Sequence, residues 1–532
     1  MRIRSPRWLA LAVVAVAAVL TGVLVVVLHR SGSSGSPAAG RVETRTIAGT
    51  GGVELSAISY VPSGTGRFPL IVMPGSWGSH ASEYQYVAAG FQALGFAVVS
   101  YAQRGFGGSG GLIDLAGPAT VSDVSRVIDW ALAHLPVDEG AVGLLGASYG
   151  GGVSLLAAEH DARVKAVVSF SGWTDLAQAL APGNTPSKQS YASLFRPLPA
   201  SAFSPEVRAL VADLAAGKAA AADGSYRALS AARSASTDVA ALGKHGTAVM
   251  LGDTYEDSLL PPAAVVPFFD ALTAPKRLEL AAGDHSGSAL AGLQGRKSAL
   301  WQNAGRWMGH YLRGDHNSIT GADPVQLQDV ATGQVHGYRS WQAAGKDTAF
   351  SLGDPARGNP ARGDPAYGGT VGTSAAAWTY PVAAGVATAA DAGPEQYSTG
   401  TAYRQPTLSL PVSAPDGAAI WSAPAATASV TVNGIAQVRL ALRTSASAVS
   451  LFGYLYDVGT GGSGRLMTHG AITVAGTARA ATIALQPISW TLAPGHQLAL
   501  VVDTVDARYF GQSVPGSTVT LASPATLTVP VG

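Results

Sequence analysis

The 532-residue chain contains no cysteine. Disulfides, thiolate metal sites and cysteine nucleophiles are therefore excluded together, and cysteine usage says nothing about the redox compartment. Charge is also scarce: Asp, Glu, Lys and Arg make up 13% of the residues, and 34 basic side chains stand against 33 acidic ones for a formal net charge of +1. So small and balanced a charge offers no basic field to gather a nucleic-acid backbone, and no nucleic-acid partner is expected. What the chain has instead is 47% hydrophobic residues and 65 glycines. That composition belongs to a folded globular protein, and the length allows two or three domains.

Long apolar runs are absent except at the N-terminus. There Arg2, Arg4 and Arg7 precede an uninterrupted apolar stretch from Trp8 to Leu28, and His29 and Arg30 lead into "SGSSGSPAAG". A run of about 20 residues is long enough to cross a hydrocarbon core and longer than the apolar part of a cleaved signal. Residues 1–30 therefore read as a transmembrane signal anchor and 31–40 as a linker. With more arginines before the run than after it, the body is expected outside the membrane. The alternative is cleavage near Pro37, Ala38 and Ala39, which gives a secreted protein.

From residue 41 to about 314 short β-rich runs ("FPLIVM", "FAVVSYA", "AVGLLG", "VKAVVSF", "TAVML", "KRLELAA") alternate with stretches of helical periodicity such as "TVSDVSRVIDWALAHL". Several of the runs are apolar throughout, as in strands covered on both faces, so an α/β domain with a mainly parallel sheet is predicted. Residues 173–245 break the alternation and are rich in Ala and Leu, which predicts an inserted helical cap. From 323 to 532 short alternating Thr, Val, Ser and Gly runs predict a closing all-β jelly roll or sandwich. A repeat, "GDPAR", "GNPAR", "GDPAY", occupies Gly353 to Tyr367; with proline in every copy and few carboxylates it reads as a stiffened surface loop rather than a calcium site.

Gly146-Ala147-Ser148-Tyr149-Gly150 follows a strand-like run and precedes a helix-like one, "GVSLLAAEH". This is the G-x-S-x-G setting, in which a serine is lifted on a strained strand-to-helix turn. A serine hydroxyl is a weak nucleophile and needs a base oriented by a carboxylate, in the chain order Ser, acid, His for such a fold. His285, in "GDHS" after the strand "KRLELAA", is the candidate base. Asp257, in "GDTYEDSLLPP" after the strand "TAVML", is the candidate acid, with Asp253 on the same loop as the alternative. Asp284 reads as a turn or supporting residue. Donors for a tetrahedral oxyanion are expected from the backbone N–H of Tyr149 and, in the early loop "PGSW", from Ser76 first and Trp77 next.

The stretches "YAQRGFGGSGG", "VIDWAL", "GASYGG", "SGW", "EDSLLPP", "GDHS", "LYDV" and "APGHQLALVV" resemble the X-Pro dipeptidyl-peptidase and cocaine esterase group of α/β-hydrolases. The resemblance covers nearly everything after the apolar run. It implies an α/β-hydrolase fold with a cap and a C-terminal jelly roll, a Ser148, Asp257, His285 triad, and cleavage of an ester, an amide or an X-Pro dipeptide bond without metal or organic cofactor. Two departures bear on substrate. The early loop carries no tyrosine before Tyr84, and none of the cap carboxylates Glu206, Asp213 and Asp223 is aimed at the site by sequence. The competing reading is a non-catalytic surface protein with a relic hydrolase domain, in which sandwich aromatics such as Trp421 and Tyr454 bind a polymer.

Overall fold

In the computed structural model the described residues are 40–218, 224–355, 368–372, 376–392, 405–409 and 415–532. The apolar run Trp8–Leu28, the linker and cleavage stretch after it, Asp223 and most of the five-residue repeat lie outside them. Among the described residues no helix is long and apolar enough to cross a membrane.

The β-rich runs of the first half form one ten-stranded sheet. Its strands are β1 (Arg41–Ala48), β2 (Glu54–Val61), β3 (Phe68–Pro74), β4 (Ala97–Tyr101), β5 (Val137–Ala147), β6 (Val164–Phe170), β7 (Ala248–Thr254), β8 (Lys276–Ala281), β9 (Val325–Gln328) and β10 (Val335–Tyr338). They lie in the order β1-β2-β4-β3-β5-β6-β7-β8-β9-β10. β4, β3, β5, β6, β7, β8 and β9 run parallel, whereas β1, β2 and β10 pair antiparallel at the ends. Every residue of β4 and β7 is buried, which explains why these strands read as continuous apolar runs: helices cover both faces. On one face lie α1 (Gln85–Ala93) and the helix Ala299–Arg313, whose Leu300, Trp301, Ala304, Trp307, Met308 and Leu312 recur at helical spacing and are buried. On the other lie α2 (Pro118–His134) and α3 (Tyr149–His160).

Between β6 and β7 the chain makes the helical insertion, including Leu176–Leu180, Pro205–Ala215 and Gly224–Ala231. It is tied down at several points over the strand ends. The Trp77 indole N–H donates to the carbonyl of Leu194 at 2.9 Å, Ile113 N–H to Ala202 at 2.9 Å, and the Ser190 hydroxyl to Leu259 at 2.8 Å. These bonds join the cap to three separate loops of the α/β domain.

The C-terminal part is β-rich, with the long hairpin Ala448–Val458 and Ser463–Ala475 in one layer and Gln437–Thr444, Ala480–Ala484 and Thr518–Val531 in the other. A Cβ on Gly453 in the hairpin would touch Ile483 and Leu485 at 3.4 Å, so the two layers face each other through a shared apolar core. Residues 325–338, placed with the terminal domain by the sequence pattern, pair as β9 and β10 with the first sheet. Short alternating runs satisfy any open sheet edge, and here the unpaired edge of β8 claims them.

The terminal domain sits on the cap and on the loop after β7. Gln189 N–H donates to Arg508 O at 3.1 Å, Phe510 N–H to Pro186 O at 2.9 Å, and Ala263 N–H to the Gln486 amide oxygen at 3.0 Å. Trp421 and Tyr454 are fully buried in it, so neither presents a surface to a polymer.

Candidate active site

Ser148 occupies the turn between β5 and α3 with φ 54° and ψ −123°, a conformation that a non-glycine residue holds only when its surroundings impose it. The flanking glycines explain how. A Cβ on Gly146 would overlap the backbone of Gly150, and one on Gly150 would overlap the carbonyl oxygen of Pro74. The motif is thus a steric statement: the strand, the turn and the loop after β3 pass too close for side chains. Ser148 N–H donates to Phe170 O at 2.7 Å, anchoring the turn to β6.

The three residues singled out by order in the chain meet in space. His285 Nε2 lies 2.8 Å from Ser148 Oγ, and His285 Nδ1 lies 2.7 Å from Asp257 Oδ2. With the Nδ1 proton donated to the carboxylate, Nε2 is left to accept from the serine hydroxyl. The other oxygen of Asp257 accepts the N–H groups of Leu259 and Leu260 at 2.9 and 2.7 Å. Ser148, His285 and Asp257 are all buried. Burial alone would disfavour the charged histidine, but the carboxylates of Asp257 and Asp284 outweigh it and hold its pKa above the ordinary value. Burial pushes Asp257 up, against His285 and the Leu260 N–H.

The carboxylate bonded to His285 Nδ1 is that of Asp257 and not that of Asp253, the alternative acid. The Asp253 carboxylate accepts its neighbour's N–H, Thr254, at 2.8 Å, and burial beside Asp257 pushes its pKa well up. Asp284 does support the site, as its Oδ1 accepts both Ser258 N–H at 2.9 Å and His285 N–H at 2.7 Å. It pins the acid-bearing loop to the base-bearing one. Glu256, to which the sequence pattern assigns no role, makes a second clasp between the same loops: its Oε2 accepts Gly283 N–H at 2.9 Å, and burial raises its pKa to about 7.

The expectation for Ser76 is corrected. Its N–H already donates to Glu83 Oε2 at 2.8 Å, and its hydroxyl donates to Ala147 O at 2.9 Å, so Ser76 braces the loop and has no backbone donor to offer an oxyanion. Tyr84 acts beside it, donating to Pro74 O at 3.2 Å and accepting Ala147 N–H at 2.9 Å. Glu83 and Tyr84 carry no local sequence signal for this, because both act across a chain separation that only folding closes. Tyr149 N–H stands at the first position of α3, where helix amides lack an intrahelical partner. Trp77 packs edge-on against Tyr149 and Phe195, with ring centroids 5.2 and 5.5 Å away, and so links the early loop to the cap. Of the cap carboxylates, Glu206 pairs with Arg233 at 3.2 Å and Asp213 with Lys218 at 3.3 Å.

Residues 51–287 match the family model of the X-Pro dipeptidyl-peptidase (S15 family), and residues 317–529 match that of the X-Pro dipeptidyl-peptidase C-terminal non-catalytic domain. The chain thus carries a domain of the X-Pro dipeptidyl-peptidase (S15) family followed by that family's C-terminal domain. Among solved structures, this chain shares its fold with a CocE/NonD family hydrolase from Staphylococcus aureus, at 12% identity and a TM-score of 0.66 over 92% of this chain and 94% of the other. It shares it also with an α-amino acid ester hydrolase, at 14% identity and a TM-score of 0.65 over 94% and 98%. Local sequence likeness is higher but shorter. An uncharacterized 31.7 kDa protein of Escherichia coli is 37% identical over 117 residues, 22% of this chain and 41% of the relative. A protein named Hydrolase LUC6 from Fusarium sp. is 37% identical over 147 residues, 26% of this chain and 35% of the relative. The matches thus span less than half the length of these curated relatives.

Proposed function

We propose that this hydrolase is exported and cleaves an ester or amide of an uncharged acyl group through an acyl-enzyme on Ser148. The observation that carries the reading is the continuous contact from Ser148 Oγ through His285 to Asp257, with Ser148 on a strained turn between β5 and α3. Ser148 Oγ attacks the carbonyl carbon while His285 Nε2 takes the hydroxyl proton, and Asp257 holds the ring and balances its charge. The oxyanion that forms is received by the N–H of Tyr149 at the start of α3, where the helix dipole favours it, and by that of Trp77. Collapse of the tetrahedral species expels the leaving group, which His285 protonates. Water then attacks the ester to Ser148, giving its proton to His285, and the acid departs as Ser148 is restored.

Release of an X-Pro dipeptide would need a carboxylate to hold the substrate's ammonium. The two described candidates named in the cap, Glu206 and Asp213, instead pair with Arg233 and Lys218, which favours an uncharged acyl group. Labelling with a fluorophosphonate probe tests the nucleophile: wild type should be labelled and Ser148→Ala should not, and equal labelling of both would refute the assignment. Turnover of short aryl esters beside an X-Pro chromogenic dipeptide then separates the two substrate classes. Export through Trp8–Leu28 is tested by cell fractionation of the full chain.

A further inference from the structure

Between α1 and the helix Ala299–Arg313 lies an open cavity of about 530 Å³ that includes none of Ser148, Asp257 and His285. Val87, Phe91, Leu94 and Trp301 form its apolar wall, and Tyr86 and Leu94 beside it are 54% and 56% exposed, an unusual outlay of large apolar side chains. Its rim is basic. Arg296, Lys297 and Arg306 are exposed there, the two arginines hydrogen-bonding to the neutral side chains of Gln294 and Asn303. The lone carboxylate of the lining, Asp315, is taken by Arg313. The surface is therefore apolar at its floor and net positive around it.

The place where the chain enters the body adds a second, independent observation. Gln92, on α1 two residues before Leu94, donates to Arg41 O at 3.1 Å and to Val61 O at 2.8 Å, so the start of β1 is held against the same helix that walls the cavity. The apolar run Trp8–Leu28 ends only 13 residues before Arg41, which a fully extended chain spans in at most about 45 Å.

We propose that this groove docks on a membrane surface bearing anionic phospholipids, with Leu94 and Tyr86 entering the interface and Arg296, Lys297 and Arg306 meeting the phosphates. The nearness of a bilayer rests on reading Trp8–Leu28 as an anchor, so the test separates the two. Every strand of both sheets begins at or after Arg41, so the body from residue 40 onward retains both cores. That body should cosediment with phosphatidylcholine vesicles containing phosphatidylglycerol and hardly at all with phosphatidylcholine alone. Lys297→Gln and Arg306→Gln should each weaken binding about fivefold, the effect of removing one cation near a charged surface. Leu94→Asp should weaken it further, and all three variants should hydrolyse a soluble aryl ester as the unaltered body does. Failure of the body to bind anionic vesicles, binding indifferent to these substitutions, or a dimer that Leu94→Asp dissolves would overturn the proposal. A full chain found in the soluble fraction while its body still binds vesicles would remove the anchor and leave the groove standing.

Discussion

Replacing Gly150 by alanine probes the site through one methyl group. The new Cβ would overlap the carbonyl oxygen of Pro74 and stand 3.2 Å from that of Gly75. Neither neighbour yields easily: Pro74 O is held by the Tyr84 hydroxyl, and Gly75 O accepts from the Gln103 amide at 2.6 Å. Relief therefore comes from separating the loop 74–77 from the start of α3, the two places to which the proposed mechanism assigns the oxyanion donors. A shift of about 1 Å in such a constellation costs roughly a hundredfold in rate, and loss of one oxyanion donor roughly a hundred- to a thousandfold. The cost in stability should be about 1–3 kcal/mol, as for other overpacked sites. Steady-state hydrolysis of an aryl ester should show kcat falling by about two to three orders of magnitude, while thermal unfolding still gives a folded protein with a lowered Tm. Gly90→Ala is the control, since a Cβ there meets nothing within 4 Å inside a helix, and it should leave kcat unchanged. A Gly150→Ala enzyme with wild-type kcat and Tm would refute the steric reading of the motif.

Further outcomes are expected at the triad and away from it. Because His285 must be neutral to take the proton and its pKa is raised, kcat/KM should fall as pH drops through a value above the ordinary histidine value. Asp257→Asn should cut kcat by about 10⁴ and move that limb to lower pH, as the charge that raises the histidine is gone; an unmoved limb would contradict the pairing. By the same linkage the raised pKa of His285 contributes stability that is fully present below the ordinary histidine pKa and is lost as pH rises through the raised one. Asp123 and Arg104 form a buried bidentate pair, both bonds 2.7 Å, that holds the loop after β4 against α2. Asp123→Ala leaves that guanidinium unpaired and should lower stability by roughly 3–5 kcal/mol in denaturant unfolding, and a loss under 1 kcal/mol would argue against the pair's structural role.

Legibility follows range along the chain. The elbow at Ser148 and the parallel strands β3 to β8 can be read because sterics and periodicity act within a few residues: glycines at 146 and 150 mark a turn too tight for side chains, and unbroken apolar runs mark strands covered on both faces. The order Ser148, Asp257, His285 is also legible, since each member sits just beyond a recognisable strand. Asp257 and Asp253 are harder to tell apart, because two carboxylates four positions apart on one loop differ little in sequence but point to different partners.

Only the tertiary structure decided the rest, and for one physical reason: these features are distances between residues remote in the chain. Glu83 takes up the Ser76 N–H, Asp284 and Glu256 clasp the loops after β7 and β8, and β9 joins β8 rather than the sandwich. Trp421 and Tyr454, which could have served a binding surface, pack inside because the two layers close over them. Sequence by itself determined which residues could do chemistry; folding decided which hydrogen bonds each had left to do it with.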